Sequence, residues 1–467
     1  MKLPVEPRSF LLFLAVSAAV MLSIEGRAAT LTVNSLADVE ADDGACTLRE
    51  AIISANSGTG SGSQPGECAP GEFEPVLDRI EFSAGTTGTL MLGSALPALL
   101  DPVEIIGPGA DRLTLDGSAL TGNASILRVL AKSLVEGLTL ANNISTSEGG
   151  AIDADQSLTI LDIVFEDNRA TTGGAIHTTD DLTVERSEFR RNVATDFHGG
   201  AIRLADSGRT LIVRDSLFEN NETALNARSG GAIHVGGSDH VTEISGSTFV
   251  GNAALGEDRD GGALRVEGQS LTIVNSTFSD NTAADQGGAI WAAAATNRLI
   301  NVTATANRAD RDSDGNGDGG GLFGLNDVVV INSLLAGNFD SGLEAPDCSG
   351  TLIDSRYNLV GNGNGCSGVS DGVDGNQVGT FSMPIDPMLE ALADNGGETP
   401  THALLAASPA IDAGDPAGCE DALGDPLTVD QRGRSRPRDG DGDGSAVCDI
   451  GAFELAGDRI FMDRFED

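Results

Sequence analysis

Gly230-Gly231-Ala232-Ile233-His234-Val235, followed by Phe249-Val250-Gly251-Asn252, is one copy of a pattern that runs through the middle of the chain. Gly-Gly-Ala-Ile also begins at Gly149, Gly173, Gly199 and Gly287, with near-copies at Gly261 and Gly319. Phe-x-x-Asn stands at 165–168, 189–192, 218–221, 249–252 and 278–281; the aromatic is lost in the copies that end at Asn307 and Asn338. The Gly-Gly starts are 24, 26, 31, 31, 26 and 32 residues apart. A repeat of that length with no helical period is the mark of a solenoid.

Each repeat holds two runs of alternating apolar and polar residues, one after the glycines and one before the phenylalanine, as at 182–184 or 271–273. That period belongs to half-buried strands. Copies too short to hold a crossover helix stack as coils of a parallel β-helix, each strand pairing with its copy about 4.8 Å away. Like residues then form columns. Ile152, Ile176, Ile202, Ile233, Leu264, Ile290 and Leu322 make an inner aliphatic ladder beside an inner stack of phenylalanines. Asn168, Asn192, Asn221, Asn252, Asn281, Asn307 and Asn338 make an amide ladder at a corner. Length varies mainly between each Asn and the next Gly-Gly, so insertions collect at one corner.

The ends differ from the coils. Lys2 and Arg8 precede an apolar run from Phe10 to Ile24, with small residues near Ala28, which reads as a signal peptide over 1–28 and predicts export. No other run is long and apolar enough for a membrane span. Residues 29–75 are expected to cap the solenoid. Thr47 and Glu50 have capping-box spacing, and Leu48, Ala51, Ile52 and Ala55 share one helical face. Coils are expected over 76–378, a C-terminal cap rich in Asp, Pro and Gly over 379–456, and a short tail over 457–467. The fold class expected is all-β: a right-handed, single-stranded parallel β-helix with a short N-terminal capping helix and an irregular, disulfide-bonded C-terminal cap.

Six cysteines suit an oxidising compartment. Proximity couples Cys46 with Cys68, Cys348 with Cys366 and Cys419 with Cys448, although six cysteines permit many connectivities. The net charge of −42, from 70 acidic and 28 basic residues, argues against a nucleic-acid partner and is compatible with divalent cations.

These words resemble known families. Gly-Gly-Ala-Ile with Phe-x-x-Asn is similar to the repeats of polymorphic outer-membrane proteins and their bacterial relatives. Cys46-Thr47-Leu48-Arg49-Glu50-Ala51 resembles the cysteine-serine-leucine-arginine-glutamate-alanine domain, with Thr47 in place of serine. Ile385-Asp386-Pro387, Asp394-Asn395-Gly396-Gly397, Thr401-His402-Ala403-Leu404, Ser408-Pro409-Ala410-Ile411-Asp412-Ala413-Gly414, Asp430-Gln431-Arg432-Gly433 and Cys448-Asp449-Ile450-Gly451-Ala452-Phe453-Glu454 resemble the choice-of-anchor domain of type Q. The tail is similar to a proteobacterial sorting tail ending Gly-Phe-Glu, with Arg464 at the glycine. The resemblance implies an exported, surface-associated β-helix of Gram-negative origin, with adhesion the usual role. The chain carries no strand set like the translocator barrel that ends polymorphic membrane proteins, so self-secretion is not expected.

Three sets of residues offer chemistry. Asp310, Asp312, Asp314 and Asp318 have the carboxylate spacing of a calcium loop, but Gly321 stands where an EF-hand needs glutamate. Asp439, Asp441 and Asp443 repeat the spacing. Each set reads either as a turn-type Ca2+ site or as a solvated acidic loop. The residues that follow the inner aliphatic ladder, Asp153, His177, Arg203, His234, Arg265, Trp291 and Phe323, point outward in order. His177, Arg203, His234, Arg265 and Trp291 form either a sugar-binding strip or an ordinary solvated face. No convergent acid–base pair is legible, so the leading expectation is a monomeric, non-catalytic adhesin or a glycan-binding or purely structural envelope protein. Fold analogy alone supplies the second reading, a calcium-dependent polysaccharide lyase or glycoside hydrolase.

Overall fold

The computed structural model describes residues 28–457, apart from 74–75, 225–228, 257–258, 312, 314, 316, 343 and 422. The proposed signal peptide and the sorting tail, but for Ala28 and Gly457, therefore lie outside the described residues. The fold is a right-handed parallel β-helix, with strands pairing in parallel from coil to coil.

One coil shows the plan. Ile202–Leu204 is followed by Thr210–Arg214, Leu217–Glu219 and the two-residue strand Glu222–Thr223. Each pairs in parallel with its counterpart one coil on: Ile233–Val235, Val241–Ser245, Thr248–Val250 and Ala253–Ala254. A coil thus has three strands and a short bridge, where the alternation predicts two runs. The extra strand is the one that carries the phenylalanine. It is only three residues long, with a single inward side chain, and is too short to show a period.

The predicted columns are present. The aliphatic ladder from Ile152 to Leu322 is fully buried and in register at every step. Phe165, Phe189, Phe218, Phe249 and Phe278 stack with ring centroids 4.6–4.7 Å apart, the spacing that strand pairing imposes. In the amide ladder from Asn192 to Asn338 each Asn Oδ1 accepts from the backbone N–H and the Nδ2 of the preceding Asn, as Asn252 does from Asn221 at 2.9 and 3.0 Å. The ladder begins earlier than predicted, at Asn143, and ends on Asp347, whose Oδ1 takes both bonds from Asn338 at 2.9 Å. A second ladder stands two residues before the phenylalanines and was not read from the sequence. Ser187, Ser216, Ser247 and Ser276 bond coil to coil through Oγ at the corner between the second and third strands.

The second glycine of each pair sits where backbones nearly touch. A Cβ on Gly200 would lie 2.0 Å from the Gly231 carbonyl oxygen and 2.6 Å from the Glu222 nitrogen. The first, such as Gly199 with φ +67, takes the left-handed conformation.

The N-terminal end is closed by the helix Leu48–Ser57. Thr47 accepts from the Glu50 N–H while Glu50 Oε2 accepts from the Thr47 N–H at 2.9 Å, the capping box read from the sequence. Leu48, Ala51, Ile52 and Ala55 are buried, and Thr30–Val33 pairs with Asp78–Phe82 as the first rung. All three disulfides form as proximity predicts: Cys46–Cys68, Cys348–Cys366 and Cys419–Cys448. Among the described residues no helix is long and apolar enough to cross a membrane.

The C-terminal segment does more than close an end. It turns back along the side of the coils and covers the outward positions of the third strands. Gln431 Nε2 donates to Thr248 Oγ1 at 2.8 Å and its Oε1 accepts from Thr277 Oγ1 at 2.7 Å. Asn275 Nδ2 donates to the Val429 carbonyl, and the Ala452 N–H donates to Thr303 Oγ1. Leu334, Ala336 and Leu359 then pack against Ala403, Leu404, Ile450, Phe453 and Leu455.

Candidate functional site

The outward residues of the first strands do form one row. Arg128 registers with Asp153, and the row continues through His177, Arg203, His234, Arg265 and Trp291 to Phe323. Sequence reasoning missed Arg128, because no Gly-Gly-Ala-Ile precedes it.

The row is less open than its outward direction implies. His177, His234 and Trp291 are buried, and connector side chains lie against them: Glu148 beside His177, His198 beside His234 and Gln286 beside Trp291. Much of its charge is paired. Arg128 bonds Asp153 and Asp155. His177 Nδ1 lies 3.0 Å from Asp153 Oδ1 and 3.4 Å from Glu148 Oε2. Arg265 donates to Asp260 at 2.8 Å and Glu267 at 3.0 Å, and its guanidinium carbon sits 4.1 Å over the Trp291 ring. Trp291 and Phe323 stack at 6.5 Å. Within the row, the Arg265–Trp291–Phe323 stretch joins a half-buried cation to aromatic faces.

Arg203 is set apart. Its guanidinium bonds His234 Nδ1, and the His234 ring lies 3.9 Å from that of His198. Burial pulls Arg203 down to about 10. Burial first, and then the Arg203 charge, holds His234 well below the ordinary histidine range, so it is the neutral acceptor of that bond.

Three side chains, Glu148, Asp153 and His177, bring ligand atoms within 4.8 Å of one another. Glu148 had not been singled out from the sequence; it lies immediately before a Gly-Gly pair in a connector.

The two acidic loops fare differently. In the first, Asp312 and Asp314 lie outside the described residues. Asp310 is buried and its Oδ1 accepts from the Gly315 N–H at 3.3 Å. Asp318 lies beside Ser349, and burial with the Asp340 charge raises its pKa. Among the described residues, Asp310 and Asp318 join no group of three ligands. In the second loop, Asp439 and Asp441 come within 4.8 Å of Asp412, and Asp443 stays outside. Asp443 is turned to the Ser445 N–H instead. Asp412 comes from the Ser-Pro-Ala-Ile-Asp stretch, far off in sequence, so only the folded flank segment could join them. Oxygen-only ligands of this kind suit a hard cation such as Ca2+.

His402, in the Thr-His-Ala-Leu stretch, bridges the flank segment to the coils. Its Nδ1 meets the Glu390 carbonyl at 2.8 Å and its Nε2 meets Ser279 Oγ at 2.9 Å.

The architecture is that of a parallel β-helix with a paired outer row, and sequence comparison points the same way. Residues 105–249 match the family described as right handed beta helix region, and residues 275–293 match the Chlamydia polymorphic membrane protein repeat. A stretch of 136 residues is 35% identical to the probable autotransporter YfaL of Escherichia coli (strain K12), covering 24% of this chain and 11% of that protein. The chain therefore matches only about a ninth of its relative's length. No solved structure matches it.

Proposed function

We propose that this chain is an exported, surface-associated β-helix protein that binds polysaccharide as a monomer and carries out no chemistry on it. The observation that carries the reading is the in-register row from Arg128 to Phe323, in which Arg128, Asp153, Arg203, Arg265 and Phe323 stay partly exposed between buried neighbours, at a coil repeat of about 4.8 Å that suits a linear polymer. Its Arg265–Trp291–Phe323 end combines a cation with aromatic faces, which suits a sugar ring bearing a carboxylate. The surface assignment is supported by likeness to an autotransporter and to polymorphic membrane protein repeats. The disulfide-stapled helix Leu48–Ser57 supports the N-terminal domain resemblance, and the bonded flank segment supports the choice-of-anchor resemblance. Ca2+ belongs to the proposal at Asp412, Asp439 and Asp441.

The test is retention of the purified protein on immobilised acidic and neutral polysaccharides. Retention on at least one acidic polymer is expected, weakened about tenfold by Arg265→Gln or Phe323→Ala, about 1.4 kcal/mol. Retention that both variants leave unchanged would sink the row as the binding surface.

A further inference from the structure

A small concavity on the flank segment stands apart from the outer row. It has a volume of about 230 Å3 and is lined by Asn395, Arg432, Arg434, Arg438, Phe453 and Glu454, with Ala456 at its edge. In a chain with 28 basic and 70 acidic residues, three arginines on one concavity are a sharp local reversal of charge.

The three are held in different ways. Arg432 Nε and Nη2 donate to Asp430 Oδ2 at 2.9 and 2.6 Å, and its guanidinium carbon lies 3.5 Å over the Phe453 ring. Arg434 and Arg438 are anchored by backbone N–H bonds, to Asp430 Oδ1 at 2.9 Å and to Glu454 Oε1 at 2.7 Å. Their guanidinium groups are exposed and make no ion pair among the described residues.

The neighbouring carboxylates are already engaged. Asp430 is buried against Arg432, and Glu454 is buried with Oε2 accepting from Arg436 Nε at 3.1 Å and from the Asp449 N–H at 3.1 Å. Asp430 pairs with Arg432 and Glu454 with Arg436, so among the described residues neither carboxylate pairs with Arg434 or Arg438.

We propose that this concavity binds the carboxylate of a hexuronate unit, with Arg434 and Arg438 as donors and the Arg432–Phe453 stack as its floor. Guanidinium groups match a carboxylate through paired, charge-assisted bonds. The volume falls below the roughly 300 Å3 at which drug-sized pockets begin, and suits a single sugar ring. The charge of −42 opposes anions at long range, but at physiological salt screening acts beyond about 8 Å, so the local pair governs contact. The site does not depend on the outer row. The same chemistry has a second source, the acidic side chains that follow Gly457: Asp458, Asp463, Glu466 and Asp467.

The full-length protein carrying Arg265→Gln, which weakens the outer row, is titrated with sodium galacturonate and with its methyl ester, in parallel with the same protein carrying Arg434→Gln/Arg438→Gln as well. Galacturonate is expected to bind with a Kd on the order of millimolar. We expect at least tenfold weaker binding of the ester, and a tenfold loss in the Arg434→Gln/Arg438→Gln double variant at unchanged unfolding midpoint. Equal binding of acid and ester, or an unaffected double variant, overturns the proposal. A further chain carries Asp458→Asn, Asp463→Asn, Glu466→Gln and Asp467→Asn. Galacturonate binding seen only in that chain overturns the sugar assignment in favour of the protein's own acidic residues.

Discussion

Asn221 takes part in four side-chain hydrogen bonds inside the solenoid. Nδ2 donates to the Phe189 carbonyl at 2.8 Å and to Asn252 Oδ1 at 3.0 Å, while Oδ1 accepts from the Asn192 N–H and Nδ2 at 3.0 Å each. Removing it leaves buried donors and acceptors on two adjacent coils without partners. Asn221→Ala is therefore expected to destabilise by about 3–5 kcal/mol, read as a lower urea midpoint. Asp347 ends the ladder as a carboxylate, with Oδ1 serving Asn338 and Oδ2 accepting from the Asn362 N–H at 2.7 Å. Burial pushes its carboxyl up to about 6 despite those bonds. A native pKa above the unfolded one means the folded chain holds the proton more tightly. The stability from that proton is full below about pH 4 and lost as pH rises through 6, on the order of 2–3 kcal/mol. Asp347→Asn is expected to lack this component when unfolding is compared at pH 4 and pH 7; an identical pH slope in both proteins would contradict it. The ladder's middle was legible because Phe-x-x-Asn repeats as a word. Its end was not, because Asp347 replaces an amide after only nine residues.

At the scale of elements, the paired glycines fix how tightly coils turn. Gly200→Ala would drive a Cβ into the Gly231 carbonyl oxygen and the Glu222 backbone, neither of which can swing aside. Loss of folded protein, or a drop of at least about 3 kcal/mol, is expected from thermal unfolding. Phe218→Leu keeps an apolar side chain in the stack and is expected to cost less than Phe218→Ala, which falls in the range of about 3–5 kcal/mol. The columns could be read from the sequence because in a parallel β-helix each residue meets its own copy, so repetition along the chain becomes contact in space. The serine ladder was present in the sequence too, since Ser187, Ser216, Ser247 and Ser276 each stand two residues before the phenylalanine, but a small polar residue beside a turn carries no strand period to mark it as a buried column. The outer row was legible in order but not in exposure, since cover comes from connectors of irregular length.

For the whole molecule, the least predictable feature is the flank segment, whose bonds to the coils span well over a hundred residues and follow no period. Gln431→Ala removes its hydrogen bonds to Thr248, Thr277 and Thr399 at once. Faster amide exchange over 379–456 is expected, with exchange in the coils around the phenylalanine stack unchanged. Equal acceleration in both regions would show that the segment and the solenoid unfold as one unit. The same packing brings Asp412 to Asp439 and Asp441, and creates the arginine concavity, so the candidate sites of the flank arise only from the folded molecule. The central claim is that this β-helix binds polysaccharide without cleaving it. The most direct measurement incubates the purified protein with retained polysaccharides, with and without Ca2+, and assays new reducing and unsaturated ends. Retention with no new ends under either condition is the predicted result; calcium-dependent accumulation of ends would contradict it and assign the chain to lyase or hydrolase chemistry.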